Sequence, residues 1–454
     1  MGYADLRAFL ADIGPDLLRV DERLSPRHEI AAVLAGAQSS GKAVLCSDVD
    51  GYPGIRVAGN LLGSRRLMAR ALGTTEDGLA DTYLGARHRA RPPVPVAGPA
   101  PVKEVVHEAP AEVAAILPIL THHEDDAAPY ITCGVVLARD PATGRRAMGI
   151  HRMMVHGGNR LGILLANPPL SLYLAAAERT GRPLEVAVAL GVDPAMLLAA
   201  VIKAGTDGPD KLEIAGGLRG HALEMTPGLT VDLDIPARAE AVIEGRVLPG
   251  VRRDEGPFGE NTGYYFTNSS PVLEVSAIMH RRDFIYAGLC PWTTEVDNLL
   301  SLAAGADLLG QLRSHVHGVR DLELVAGTCG FNAVLAVDGL KPHEVRRLIL
   351  LALGLDRRLK SITVVDSDID IRDPRHVSWA LATRYQPDRD TVILSGLEGY
   401  VIDPSPPPDG GGSKIGFDAT KGGQAAGKRI AIPAAAMERA AGVLAGALAR
   451  AGVA

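Results

Sequence analysis

The stretch RAMGIHRMMVHGGNRLG, residues 146–162, places one arginine, Arg152, inside a run that is otherwise apolar and strand-like. A guanidinium does not shed its charge, so burying one is costly unless a carboxylate pairs with it. At its blandest such a pair only locks two strands. Around this run, YITCGVVLA (130–138), PLEVAVAL (183–190), TVDLDIP (230–236), AEAVIEGRVL (239–248) and PVLEVSAIM (271–279) also favour strands. Two helices interrupt them. One is PPLSLYLAAAERTG (168–181); the other starts at Asp193-Pro194, with Asp as N-cap and Pro as first helical residue. Many strands with few helices predict a barrel or sandwich-like centre.

On either side the pattern alternates. Residues 1–105 mix helix-like and strand-like segments and end in the Pro-rich RPPVPVAGPAP (91–101), read as a linker or an edge crossing. Beyond residue 297, ADLLGQLRSHV is helical, FNAVLAV extended, PHEVRRLILLAL helical and SITVVDSDI extended. A helix then starts at Asp373-Pro374 and a strand at TVILSG, which is the spacing of parallel crossovers. DPSPPPDGGGSK (403–414) reads as a loop. The chain closes on an Ala-rich helix whose Val443, Leu444 and Leu448 would dock on their own domain or on a second subunit. The expectation is a mixed α/β protein with an N-terminal α/β domain (1–105), a central domain (106–295) and a C-terminal α/β domain (296–454).

The 454 residues carry a net charge of −6, with 47% apolar and 22% charged residues, which is ordinary globular composition. No basic run with interleaved aromatics speaks for nucleic acid. The apolar run LILLALGL (348–355) is too short to cross a bilayer, and the N-terminus lacks a signal-peptide apolar core. Cys46, Cys133, Cys290 and Cys329 lie far apart without a CxxC, so neither zinc nor a disulfide framework is indicated. A cytoplasmic protein is expected.

Two attractive motifs fail on their own chemistry. GAQSSGKA (36–43) nearly matches a phosphate loop, but Ala43 stands where a hydroxyl should meet magnesium, and the order is helix, turn, strand. THHEDD (121–126) gathers histidines and acids, yet adjacent side chains project in different directions and converge poorly on one ion.

What survives is Arg152 with two acidic segments. DKLEIAGGLRG (210–220) carries Glu213 before an Ala-Gly-Gly turn; read alone, it is a solvated loop acid. DEGPFGENTGYY (254–265) holds Glu255 and Glu260 apart on Gly-Pro-Phe-Gly, too rich in Gly and Pro for a helix. Together with GNLLGSRRLMARALG (59–73), GVDPAMLLAAV (191–201), PARAEAVIEG (236–245), VVDSDIDIRDPRHVSWALATR (364–384) and GSKIGFDAT (412–420), these resemble the UbiD family of decarboxylases, which use prenylated FMN. The resemblance covers almost the whole chain. It implies a flavin-reductase-like split β-barrel at the centre and a catalytic Glu-Arg-Glu network at Arg152, Glu255 and Glu260. Glu255 would align the arginine that holds the substrate carboxylate, and Glu260 would deliver the proton that replaces carbon dioxide.

The chemistry is consistent with those roles. Decarboxylation leaves electrons that no side chain can accept, so a cofactor must take them, and the protein supplies positioning and a proton. The resemblance further implies manganese with potassium at the flavin phosphate. Of the family's ligands, however, the asparagine position is Ala147 and the histidine position falls at Pro169 or Leu170, which leaves Glu213. One carboxylate is a poor cage for an ion that wants about six ligands, and waters, phosphate oxygens and backbone carbonyls would have to complete it. A hydroxyl-bearing pair of some members is Ala199-Ala200 here. Cofactor contacts are therefore expected from Gly149, Ile150, His151 and Arg152 as well as Glu213. His151 would touch flavin, bond a substrate heteroatom, or fill the opposite layer; Tyr400 and Ile402 match a pocket-lining segment of relatives.

The expected activity is non-oxidative, reversible decarboxylation of an aromatic, heteroaromatic or α,β-unsaturated acid. A flavin prenyltransferase would supply the cofactor, and the chain would assemble as a homodimer or larger oligomer. The alternatives are a UbiD-like flavin-binding protein without turnover and an ordinary flavin oxidoreductase on the same barrel.

Overall fold

The computed structural model describes residues 2–203, 208–406, 411–421 and 430–450. Its class is mixed α/β, as the sequence predicts. The first sheet lines up Leu17–Leu24, Ala43–Val49, Arg56–Gly59 and Ile285–Ala287, so its last strand comes from far along the chain. The Pro-rich segment crosses at an edge: Val94–Pro95 pairs with Glu224–Pro227.

The central sheet has nine strands. Its path runs Tyr130–Ile131, Met153–Val155, Arg160–Ile163, Tyr265–His280, Ala241–Gly259, Leu184–Leu190, Val135–Arg139 and Arg146–Ile150, and Val105–Glu108 pairs alongside Tyr265–His280. Every pairing is antiparallel. Arg146–Ile150 and Met153–Val155 lie toward opposite ends of this path, yet only His151 and Arg152 separate them in the chain. Two residues span roughly 10 Å at most, so the sheet has to curl until its ends meet at Arg152. Among the described residues no ladder joins the two end strands, and the barrel is split. Leu184–Leu190 shows why such a strand reads as nearly continuous apolar sequence. Val186, Val188 and Leu190 enter one core while Ala187 and Ala189 enter another, because both faces of the sheet are covered.

Several sequence expectations need correction. The single strand expected over 146–155 is two strands. Ile150 pairs with Val135 and Met153 with Ile163, and the chain changes partners between them. The expected strand over 230–236 shrinks to Asp234–Pro236. DEGPFGENTGYY is the end of a hairpin arm, since the strand begun at Ala241 runs on to Gly259 with bulges in its register. The Ala-Gly-Gly turn is helical: Lys211–Arg219 is one helix, nucleated by a capping box between Asp210 and Glu213. Its glycines serve close packing, because a Cβ on Gly217 would lie 2.5 Å from the Ala86 carbonyl oxygen.

In the C-terminal sheet the order is Val319–Leu324, Asn332–Val337, Ser361–Asp366, Gly411–Ala419 and Thr391–Glu398. The middle three are parallel and the edges antiparallel. The expected 403–414 loop therefore ends at Gly411, where a strand starts; residues 407–410 and 451–454 lie outside the described residues. That helix, Ala434–Arg450, leaves Met437, Val443, Leu444 and Leu448 exposed. No described helix is long and apolar enough to cross a membrane.

Glu240 ties the first sheet to the barrel. Fully buried, it accepts from Arg7 Nε and Nη2 at 2.8 Å, from Arg281 Nη1 at 3.2 Å and from the Ile285 amide at 2.9 Å. Glu240→Ala would leave those donors without their acceptor, and we expect a loss of about 3 kcal/mol in denaturant unfolding, with Glu240→Gln milder.

Candidate active site

The change of partner at Arg152 creates the site. The His151 amide reaches the Gly134 carbonyl at 3.3 Å and the Leu164 amide reaches the Arg152 carbonyl at 3.2 Å. The backbone is thus satisfied on both sides while the arginine side chain leaves the ladder. Its Nε and Nη2 donate to the two oxygens of Glu255, each at 2.9 Å, a bidentate pair. Its Nη1 meets Oε1 of Glu260. The side chains of Arg152, Glu255 and Glu260 are 10%, 1% and 13% exposed, so the three charges interact largely out of water.

The spacer between the acids shapes the rest. The guanidinium carbon stands 4.6 Å from the ring centroid of Phe258, and Tyr130 packs on the other side of the contact chain, 4.4 Å from the same ring. Glu255 is in register with Asn268 across the hairpin, whereas Glu260 lies past the strand's end, its amide bonded to the Tyr264 carbonyl. One acid is therefore clamped by two bonds inside a sheet. The other sits on a turn, with Oε1 at Arg152 Nη1 and Oε2 accepting from the Asn261 amide at 3.3 Å.

Asp126 fixes that turn, and sequence reasoning missed it. Its carboxylate accepts from the amides of His122 at 3.1 Å, His123 at 2.9 Å and Gly259 at 2.9 Å, the last being the residue before Glu260. The THHEDD segment is thus a brace for the turn that carries Glu260. Nothing local could reveal this, because the acceptor and Gly259 lie 133 residues apart.

His151 is buried, and its Nδ1 stands 2.8 Å from the Leu164 carbonyl. Burial drives its pKa down to about 4, against the opposing pull of that carbonyl. The ring is neutral at pH 7, donates from Nδ1 and keeps Nε2 as an acceptor. A Cβ on Gly149 would lie 2.9 Å from that Nε2, so this position has no room for a side chain. Burial and then the charge of Glu255 raise the Tyr130 phenol.

The remaining predicted residues divide. Glu213 turns its carboxylate back onto the Asp210 amide at 2.8 Å to cap its helix. Among the described residues no group of three His, Cys, Asp or Glu side chains is placed to hold a metal ion. A divalent ion therefore does not fit the donors present. A flavin does. The Tyr130 hydroxyl, His122 Nδ1, His123 Nδ1 and Thr262 Oγ1 are buried without hydrogen-bond partners, as expected of groups that a polar ligand completes. A cavity of about 630 Å³ opens beside Thr262, two residues past Glu260, and reaches Cys329, Lys360 and Ser361 of the C-terminal domain. Tyr400 lines an adjoining space of about 310 Å³ that shares Lys360 and Asp403 with it, while Ile402 lines neither.

A buried guanidinium between two acids thus stands beside a split barrel with unsatisfied polar groups. The comparisons give the family. Profiles of the 3-octaprenyl-4-hydroxybenzoate carboxy-lyase match in three parts: the N-terminal domain over residues 14–86, the Rift-related domain over 94–293 and the C-terminal domain over 297–419. The anhydromevalonate phosphate decarboxylase of Methanothermobacter thermautotrophicus is 34% identical over 91% of this chain and 96% of its own. Among solved structures, the UbiD-class enzyme HmfF from Pelotomaculum thermopropionicum in complex with FMN is 40% identical. It superposes with a TM-score of 0.91 over 94% of this chain and 97% of its own. An evolved dimeric form of HmfF holds prenylated FMN (38% identity, TM-score 0.88, covering 95% and 98%). The 3,4-dihydroxybenzoic acid decarboxylase AroY from Klebsiella pneumoniae is 30% identical with a TM-score of 0.89, covering 95% and 97%. The chain belongs to the UbiD family of carboxy-lyases, and the flavin complexes of its structural neighbours support a prenylated flavin as its cofactor.

Two measurements test this geometry. Asp126→Ala leaves three amides without their acceptor; we expect a stability loss of about 2 kcal/mol and a fall in turnover, with Asp126→Asn intermediate in both. For His151 the folded pKa is depressed below the unfolded value near 6.5. The unfolded chain therefore binds a proton that the native state refuses, and stability falls as pH drops from about 6.5 toward 4. His151→Asn should flatten that limb of the stability–pH curve; His122, depressed by burial to about 3, should keep part of it.

Proposed function

We propose that this chain is a non-oxidative, reversible decarboxylase of an aromatic, heteroaromatic or α,β-unsaturated carboxylic acid, dependent on prenylated FMN, with Arg152, Glu255 and Glu260 as its Glu-Arg-Glu network. The observation that carries the reading is one buried guanidinium that donates twice to Glu255 and meets Glu260 at Nη1. Relatives that act on 3,4-dihydroxybenzoic acid and on anhydromevalonate phosphate support the substrate range.

When bound, prenylated FMN supplies the electron sink that the reaction needs. Glu255 occupies two donors of Arg152 and fixes the plane of the guanidinium. The nitrogen left, Nη1, is the one Glu260 touches. A substrate carboxylate that comes to the remaining N–H groups of Arg152 competes with Glu260 at Nη1, and a Glu260 displaced there turns toward the reacting carbon. Binding the substrate and arming the proton donor are then one event. Phe258 over the guanidinium keeps water from competing for the charge. Released from the guanidinium, Glu260 takes up a proton from solvent and, once carbon dioxide has left, gives it to the vacated carbon; in the carboxylation direction it takes that proton back and returns it to solvent.

Gly149, Ile150 and His151 offer the cofactor backbone groups and the His151 Nε2 acceptor, and Tyr400 faces the space from which a substrate would enter. Ile402 is assigned to the same segment. A flavin prenyltransferase supplies the cofactor. The exposed apolar side chains of the closing helix, Met437, Val443, Leu444 and Leu448, suit a homodimer or larger homo-oligomer.

Co-expression with a flavin prenyltransferase, followed by assay of carbon dioxide release from a panel of such acids, tests the function. Glu260→Gln should keep flavin binding and lose at least about 100-fold in turnover, the usual worth of a positioned proton donor. Arg152→Ala should lose substrate positioning, seen in kcat/KM. Turnover of Glu260→Gln at the parent rate would contradict the assignment, and bleaching of bound flavin by a reduced nicotinamide would point to an oxidoreductase.

A further inference from the structure

Outside the Arg152 site, Lys211 is a buried cation without an ion pair among the described residues, as is Lys414 in the C-terminal domain. Lys211 opens the helix Lys211–Arg219, is 9% exposed, and donates from Nζ to the Ala200 carbonyl at 2.7 Å. An ammonium has three donors, and among the described residues no carboxylate forms an ion pair with it. The acids nearest in sequence are spent elsewhere. Asp210 gives Oδ1 to the amides of Leu212 and Glu213 and Oδ2 to Arg146, and Glu213 turns back onto the Asp210 amide. A buried charge without a counter-charge costs stability, and a ligand of opposite sign is what would offset it.

The place of Lys211 says which ligand. Helices Pro194–Ala200 and Lys211–Arg219 both pack against the strand Arg146–Ile150, and Arg146 is bonded to the residue before Lys211. The charge of Lys211 is felt at His151. The helix that Lys211 opens thus packs on the strand Arg146–Ile150, which leads into the segment assigned to the cofactor. The divalent ion implied by the family has lost its donors here, since Ala147 and Pro169 or Leu170 stand at two ligand positions and Glu213 caps a helix. Ala199 and Ala200 bring no side-chain bulk to the helix end that faces Nζ.

We propose that Lys211 binds the flavin phosphate directly, in place of a metal ion, so that this chain takes up its cofactor without manganese. A lysine serves such a phosphate as a point charge, and it needs no cage of oxygen ligands. The proposal rests on the flavin reading above, and it explains why a buried lysine has a carbonyl but no carboxylate as its partner among the described residues.

The test is titration of FMN and of riboflavin into the full-length protein, followed by flavin fluorescence, in chelator and then in manganese. The parent protein should prefer FMN over riboflavin by at least about tenfold in chelator, with no further gain from manganese. Lys211→Met should abolish the preference while leaving riboflavin affinity unchanged, and Lys211→Arg should restore part of it. Removing the unmatched charge should also raise the melting temperature of the flavin-free Lys211→Met protein above that of the parent. An FMN preference that appears only with manganese, or one that survives in Lys211→Met, would overturn the proposal while leaving the flavin reading intact. Failure of the parent to bind either flavin would overturn both. The manganese comparison on the parent stands even if Lys211→Met does not fold.

Discussion

One guanidinium held by two carboxylates out of water is the constraint around which this protein is arranged. Burying Arg152 is tolerable only because Glu255 matches both of its forward donors, and Glu255 reaches it only from the facing hairpin. The barrel must therefore curl far enough to bring its end strands together at residues 151–152. The partner change of the strand, the bulged register of the hairpin and the Asp126 brace all serve that meeting. Replacing the trio by apolar side chains of similar size would cost the fold little and would remove the reason for its shape.

The same geometry separates two acids of identical chemistry. Glu255 is fixed in a ladder and bonded through both oxygens, and Glu260 stands past the strand's end, with one oxygen at Arg152 Nη1 and the other accepting from the Asn261 amide at 3.3 Å. Under the proposed function, this difference in placement suits Glu255 to holding the arginine and Glu260 to proton delivery. Prenylated FMN would supply the electronic part of that reaction and leave the protein orientation and a proton.

Much of this was legible in the sequence, and the gaps have physical causes. Arg152 is conspicuous because charge inside an apolar run demands a partner, and the helix caps at Asp193 and Asp373 are local signals that the structure repeats. The strand over 146–155 was read as continuous because its apolar pattern continues while its hydrogen-bond partners change, and pairing leaves no trace in composition. The Lys211–Arg219 helix was read as a turn because its glycines, which ordinarily break helices, are required by the backbone of Ala86 and Arg89 packed against them. Asp126 and Lys211 escaped because each acts on a segment remote in sequence. The shared position of the three catalytic candidates came from resemblance to a family; spacing alone would have left them as a salt bridge and a loop acid.

The central claim is that Glu260, held against Arg152, hands a proton to the carbon that loses the carboxylate. Decarboxylation by the flavin-loaded enzyme in deuterium oxide, with the product examined by NMR, tests it most directly. The account predicts one deuterium per product molecule, on the carbon that bore the carboxylate, and no such labelled product when residue 260 is glutamine. Labelled product formed at an undiminished rate by that variant would contradict it.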